Sequence, residues 1–348
     1  MSPPMSAATS TLLAIVSRRR FLIRLSAAAV LTYIAIVVSL GFRGDWAIDF
    51  TCCYQQAGQR ILDGGDLYAW SDTYTFRYTP WAALLLAVLA PFPEWLAILA
   101  WLAIKAVVLV AAAALFARAW TGSDRAFAFS LAALFPPAMH DLMIGNVSTF
   151  TLAVEIMLLR LRPAIAGPAF GLLLLLVPKP HLVPILAWLL LRQTRTGLIA
   201  LGVGASGLLA GLAVFGLEPW LGFIGTLREP LGRDFTANIG LSGMLGPAGV
   251  VISMLLAAGL FAMAVPRRGA EGLGYAILSG IVLGPYTFIH YLVGVLVAAE
   301  PLLRTRPRRL VAFPLLYLVA PLSHAWTVLL AILSWMTLRH RAQAGPDE

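Results

Sequence analysis

A carboxylate at Asp49, an ammonium at Lys179 and an imidazole at His290 stand out in a chain that carries few charges within its apolar runs. A carboxylate held beside a bilayer surface can accept the proton of a sugar hydroxyl. Lys179 sits in Val177-Pro178-Lys179-Pro180-His181, in the middle of a long apolar run. Two prolines free backbone carbonyls and open a helix there, so the lysine is expected to face polar groups, and a phosphate is its natural partner. His290 follows Gly284-Pro285-Tyr286-Thr287-Phe288-Ile289, where it can bind phosphate, bind acceptor or assist proton transfer. Each has a plainer alternative. Asp49 can simply cap a helix over 50–62, Lys179 can snorkel to an interface, and His290 can hydrogen-bond a neighbouring helix.

The elements that must position these groups are membrane helices. Of 348 residues, 60% are hydrophobic and 12% charged, against about 25% charged in a soluble domain. Lipid must therefore be the solvent for much of the surface. The expected fold class is all-α, a polytopic bundle of roughly twelve segments. They are read at 21–42, 78–92, 94–117, 125–142, 147–161, 164–191, 196–217, 248–266, 272–286, 287–300, 310–321 and 323–338. Residues 21–338 form one membrane domain between tails at 1–20 and 339–348. The first run resembles a signal peptide in position, but it is too long and lacks a small-residue cleavage site. Several other runs fall short of a straight span, so broken or re-entrant segments are expected.

Basic residues decide orientation. Arg18 to Arg20 with Arg24, Arg192/Arg195, Arg267/Arg268, Arg304 to Arg309 and Arg339/Arg341 share one side in a twelve-pass count, which the positive-inside rule makes cytoplasmic. Both termini are then cytoplasmic, and the long loops 43–77 and 218–247 face outward. Arg118, Arg125, Arg160 and Arg162 break the rule in a strict count. They obey it if 78–117 crosses an odd number of times and 164–191 is a broken pair around Lys179. Sequence alone leaves both versions open.

The outer loop at 43–77 holds Asp49, Asp63 and Asp66. Phe50, Tyr54, Ala57, Ile61 and Leu62 share one face of a helix over 50–62, as an interfacial amphipathic helix would have it. Asp63-Gly-Gly-Asp66 reads as a solvated turn. Pro136-Pro137-Ala138-Met139-His140-Asp141 is another break with polar residues at depth, and Lys105 and Glu155 interrupt apolar runs as cavity groups or structural partners. Cys52 and Cys53 are adjacent, a spacing at which cysteines seldom pair, and are read as packing residues. No phosphate-binding glycine loop, dinucleotide fingerprint, metal constellation or Ser/His/Asp spacing is present. The net charge of +9 comes from scattered loop clusters, so no nucleic-acid partner is expected.

Taken in order, these motifs resemble glycosyltransferase family 87, polyprenyl-phosphate-mannose-dependent α-mannosyltransferase-like proteins of the GT-C superfamily. The likeness rests on Asp49-Phe50…Tyr54…Gly65-Asp66-Leu67-Tyr68 and Phe76 to Pro80, then Gly145-Asn146-Val147 and Lys179-Pro180. Asn238…Leu241-Ser242 and Pro285…His290 complete it, over roughly residues 20–320. Asn146 stands where the family usually has glutamine, and Thr79 where it has the first of two prolines.

The resemblance implies a GT-C type fold in a bacterial inner membrane and a hexosyltransferase, with mannose as the sugar. The donor would be a polyprenyl-phosphate sugar presented from the outer leaflet, and the acceptor a glycolipid or glycan. Asp49 would be the catalytic base, Lys179 and His290 would bind donor phosphate, and Tyr54, Arg77, Tyr78, Asn146, Asn238 and Ser242 would be substrate-binding candidates. The leaving group is already a phosphate anion, so neither metal nor cofactor is expected. A multi-span transporter or flippase is the alternative reading. No internal repeat relates the two halves, and large external loops are unusual in an alternating-access machine.

Overall fold

The computed structural model describes residues 46–69, 76–228, 238–284 and 287–305. The expected first helix at 21–42 and the segments 310–321 and 323–338 lie outside the described residues. Among the described residues the chain is all-α. A π-helical turn, Phe50–Gln55, leads into α1 (Gln56–Leu62); α2 (Pro80–Leu86) and α3 (Glu94–Phe116) follow. Next come α4 (Gly122–Ala133), α5 (Pro136–Ile144), α6 (Ser148–Arg160), α7 (Pro163–Leu176) and α8 (Val183–Arg192). The remainder comprises α9 (Thr194–Phe215), α10 (Glu218–Arg228), α11 (Leu241–Ala264), α12 (Gly269–Leu283) and α13 (Val295–Thr305).

Prolines in the first turns of α2, α5 and α7 suit helix starts, where a missing N–H costs nothing. Among the described residues, four stretches are long and apolar enough to span a membrane: Glu94–Ala119, Asp124–Ile144, Thr194–Phe215 and Leu241–Ala264. Helices α9 and α11 expose Leu201, Leu208, Leu209, Val251, Met254 and Leu255, a surface that only lipid or another apolar face would solvate. Helix α11 begins at Leu241, inside the expected outer loop, and bends at Gly246 before Pro247.

Contacts between helix ends settle how the segments run. At one end, the Trp101 indole donates to Gly145 O at 2.7 Å, Thr79 Oγ1 to Leu175 O at 2.8 Å, and Trp81 Nε1 to Gly207 O at 2.8 Å. At the other, Arg160 pairs with Glu300 at 2.7 Å and lies over the rings of Phe116 and Trp120. Arg304 joins Glu300 at 3.6 Å, and Arg192 donates to Val265 O. Gly274 on α12 abuts Ala298 on α13, so Arg268 and Arg304 share an end.

Helix α3 therefore leaves the first end and reaches the second, α4 with α5 returns, and α6 crosses back. Helices α7 and α9 run parallel, Gly167 beside Ile199 and Gly171 beside Ala200, with α8 descending between them. The segment 164–191 is thus a broken pair around Lys179. The stretch 78–92 is not a crossing, because α2 turns back and Gln55 Nε2 donates to Phe92 O at 3.2 Å. Of the two topologies that the loop charges allow, the second holds. Arg118, Arg125, Arg160 and Arg162 gather with Arg192, Arg267 and Arg304 at one end, opposite Asp49.

Three local expectations are revised. Asp49 does not cap the helix: its backbone is already helical and its side chain makes no capping bond. The face carrying Phe50, Tyr54 and Ala57 is buried within the protein, Phe50 stacking on Trp101 at 5.5 Å between ring centres, whereas Leu62 is exposed. Cys52 and Cys53 form a vicinal disulfide in the π-helical turn. Their Cα atoms are 3.8 Å apart, below the usual disulfide range, which is why spacing argued against the pair.

Candidate active site

The site is assembled around the turn between α5 and α6. Helix α5 ends at Gly145, whose φ of +77° is the left-handed conformation that glycine adopts without penalty. A side chain there would also meet Phe50 Cβ at 3.0 Å and Ala47 Cα at 3.1 Å, so the position is closed by both conformation and packing. Ala47 N donates to Met143 O at 2.7 Å, and Ala47 itself has a φ of +54°. The stretch that carries Asp49 is thereby docked onto the α5–α6 turn.

Asp141 builds the other half of that turn. Its carboxylate accepts from Ser148 N at 2.8 Å and Thr149 N at 2.9 Å, and from Thr149 Oγ1 at 2.5 Å. It caps α6 from seven residues upstream, taking two of the amides that every helix start leaves unpaired. Lys105 on α3 neutralises it, with Nζ 2.9 Å from Oδ2 and both side chains fully buried.

Asn146 is thereby presented between the two groups singled out by sequence. Its Nδ2 donates to Asp49 Oδ2 at 2.6 Å. Its Oδ1 accepts from Val147 N at 2.7 Å and from Lys179 Nζ at 3.3 Å. One carboxamide therefore joins the carboxylate to the cation. Asp49 is half-buried, and among the described residues its Oδ1 has no hydrogen-bond partner. Burial raises the Asp49 pKa above its ordinary value, and the bond from Asn146 opposes that rise.

Lys179 lies where α7 has ended and the 3-10 turn Pro180–Leu182 has not begun, the break its flanking prolines foretold. Besides Asn146 it reaches Ser148 Oγ at 3.3 Å, and its ammonium sits 4.2 Å from the centre of the Tyr291 ring. Tyr78 is more distant, its ring 6.0 Å from Nζ, and its hydroxyl meets that of Tyr54 at 3.1 Å. His290 stacks on Phe288 and His140 and meets the Tyr291 ring edge-on at 4.7 Å. His181 packs on the same Tyr291 ring at 5.4 Å.

Asn238 and Ser242 bond away from this group. Asn238 Oδ1 accepts from Gly240 N and Thr287 N, both at 3.0 Å, while Nδ2 donates to Ser242 at 3.3 Å. Asn238 thus ties the start of α11 to Thr287, in the segment leading into His290. Arg77 is half-buried beside Tyr78. Asp63 and Asp66 are exposed, bonded to Gln59 at 3.0 Å and to Tyr68 N at 3.0 Å, as a solvated turn requires. Sequence reasoning missed Tyr291 as the partner of Lys179 and Asp141 as the distant cap. Tyr291 sits next to His290 in sequence, but nothing local marks its ring as the seat of a cation from another helix.

No curated protein and no solved structure matches the chain. The sequence model of glycosyltransferase family 87 matches residues 76–322, well over half of the chain, a stretch that does not include Asp49. The chain therefore belongs to glycosyltransferase family 87, a family of membrane glycosyltransferases.

Proposed function

We propose that the chain transfers a hexose, specifically mannose, from a polyprenyl-phosphate donor to a hydroxyl of a glycolipid or glycan acceptor. The reaction takes place at the outer face of a bacterial inner membrane. The single observation that carries this reading is the Asn146 carboxamide, which bonds Asp49 at one end and Lys179 at the other. A proton acceptor and a phosphate-binding cation are thereby held two hydrogen bonds apart.

In the proposed reaction Asp49 Oδ1 takes the proton of the acceptor hydroxyl. The acceptor oxygen forms its bond to the anomeric carbon as the bond from that carbon to the phosphate oxygen breaks. The electron pair stays on the phosphate, which Lys179 holds. The carboxylate also stabilises the positive charge that develops on the sugar ring. Gathering of the basic residues at the opposite end supports the outward orientation, since cytoplasmic loops carry the excess of arginine and lysine.

The test is sugar transfer by purified protein in detergent, from radiolabelled polyprenyl-phosphate mannose to a glycolipid extract of the native membrane. Without compartments, a transporter produces no product. Asp49→Asn keeps an acceptor for the Asn146 N–H but no useful base, so turnover is expected to fall by about 10²–10⁴-fold with donor binding retained. Asp63→Asn and Asp66→Asn are loop controls that should stay within a few-fold. Wild-type turnover by well-folded Asp49→Asn protein would remove Asp49 from the chemistry.

A further inference from the structure

Tyr291 is the best-placed side chain to which no role in the reaction has been given. Its ring is fixed from three directions: His290 meets it edge-on at 4.7 Å, Phe288 edge-on at 5.4 Å, and His181 tilted at 5.4 Å. The Lys179 ammonium rests against it, 4.2 Å from the ring centre, well inside the range of a cation–π contact. The hydroxyl is different. Among the described residues it has no hydrogen-bond partner, and the residue is half-buried.

A half-buried tyrosine whose hydroxyl has no protein partner keeps that hydroxyl open to a ligand. Here the ring is held by its neighbours and the hydroxyl is left over, beside a lysine whose side-chain hydrogen bonds among the described residues are two long ones, of 3.3 Å each. We infer that Tyr291 is a donor-contacting residue: its ring seats the Lys179 ammonium, and its hydroxyl donates a hydrogen bond to a non-bridging oxygen of the lipid-linked phosphate. The inference rests on the phosphate-donor reading above and deepens it. Lysine supplies charge without fixed direction, whereas a phenol held by three rings supplies a directed donor. The pair therefore selects a phosphate over an uncharged lipid alcohol at the same point.

The test compares binding of a polyprenyl phosphate and the polyprenol of equal length to the purified full chain in detergent. Tyr291→Phe keeps the ring and its packing and removes only the hydroxyl. A hydrogen bond to a charged group is worth about tenfold to a hundredfold in affinity. Tyr291→Phe is expected to lose that much of the preference for the phosphate while binding polyprenol as the wild type does. Tyr291→Leu, which also removes the seat of Lys179, should lose more. Full phosphate preference in Tyr291→Phe would overturn the inference, as would equal weakening toward both lipids, the signature of a packing role. Absence of any phosphate preference in the wild type would instead overturn the phosphate-donor reading beneath it.

Discussion

Two buried lysines of this chain meet different fates. Lys105 is fully enclosed, pairs with Asp141 at 2.9 Å, and donates to Asp141 O as well at 2.5 Å. Its partner is saturated too, accepting from Ser148 and Thr149. Among the described residues, Lys179 bonds neutral groups at longer range: two oxygens at 3.3 Å and an aromatic face at 4.2 Å. A buried charge needs compensation, and Lys105 finds it inside the protein. Lys179 does not find it to the same degree, and so a ligand anion has something to add there. The comparison separates an ion pair that builds the α5–α6 turn from a cation that this turn leaves available.

That contrast can be broken in three places. The largest effect is expected from Asp141→Ala, which strands Lys105 and uncaps α6. Breaking a buried pair by removing one partner costs about 3–5 kcal/mol, so thermal unfolding in detergent should shift far down. A stability near wild type would mean the pair is not structural. Lys179→Ala should leave that melting transition nearly in place and instead weaken binding of polyprenyl phosphate by about tenfold to a hundredfold, with Lys179→Arg retaining part of it. Unchanged lipid-phosphate affinity in folded Lys179→Ala would erase the distinction between the two lysines.

The smallest effect concerns pH and joins the two regions through Asn146. Asp49 must be ionised to act as a base. Burial raises its pKa, so kcat/KM should rise with pH through a value above the ordinary carboxylate range and then level off. The Asn146 N–H favours the ionised form, so Asn146→Ala should move that rising limb to still higher pH. A limb that stays put in Asn146→Ala would show that the carboxamide does not tune the base. Stability follows the opposite sense. A carboxyl with a raised folded-state pKa disfavours folding as pH climbs from its unfolded value to its folded one, and Asp49→Asn should remove that loss.

Much of this was legible from local pattern. The Val177 to His181 segment announced a broken helix with a lysine at the break, because proline removes a donor and a single charge cannot rest in hydrocarbon. The turn at Asp63 to Asp66 was equally plain. The pairing of Asp141 with Lys105 and with the amides of α6 was not, because a cap seven residues away leaves no fixed spacing to recognise. Asn146 could be picked out in sequence, but the bonds of its carboxamide to Asp49 and Lys179 could not, because those partners lie in other segments.

By itself the sequence determined the all-α membrane class, the segments of apolar run and the identity of the few charges among them, since these follow from hydropathy and composition along the chain. It could not choose between two topologies, because loop charges constrain only sidedness and both partitions kept most of the arginines together. The tertiary structure decided that through the Arg160–Glu300 and Arg192–Val265 contacts, which tie distant helix ends to one face. It also decided which polar groups meet: Asp49, Asn146, Lys179 and Tyr291 come from four separate segments, and only helix packing brings them together.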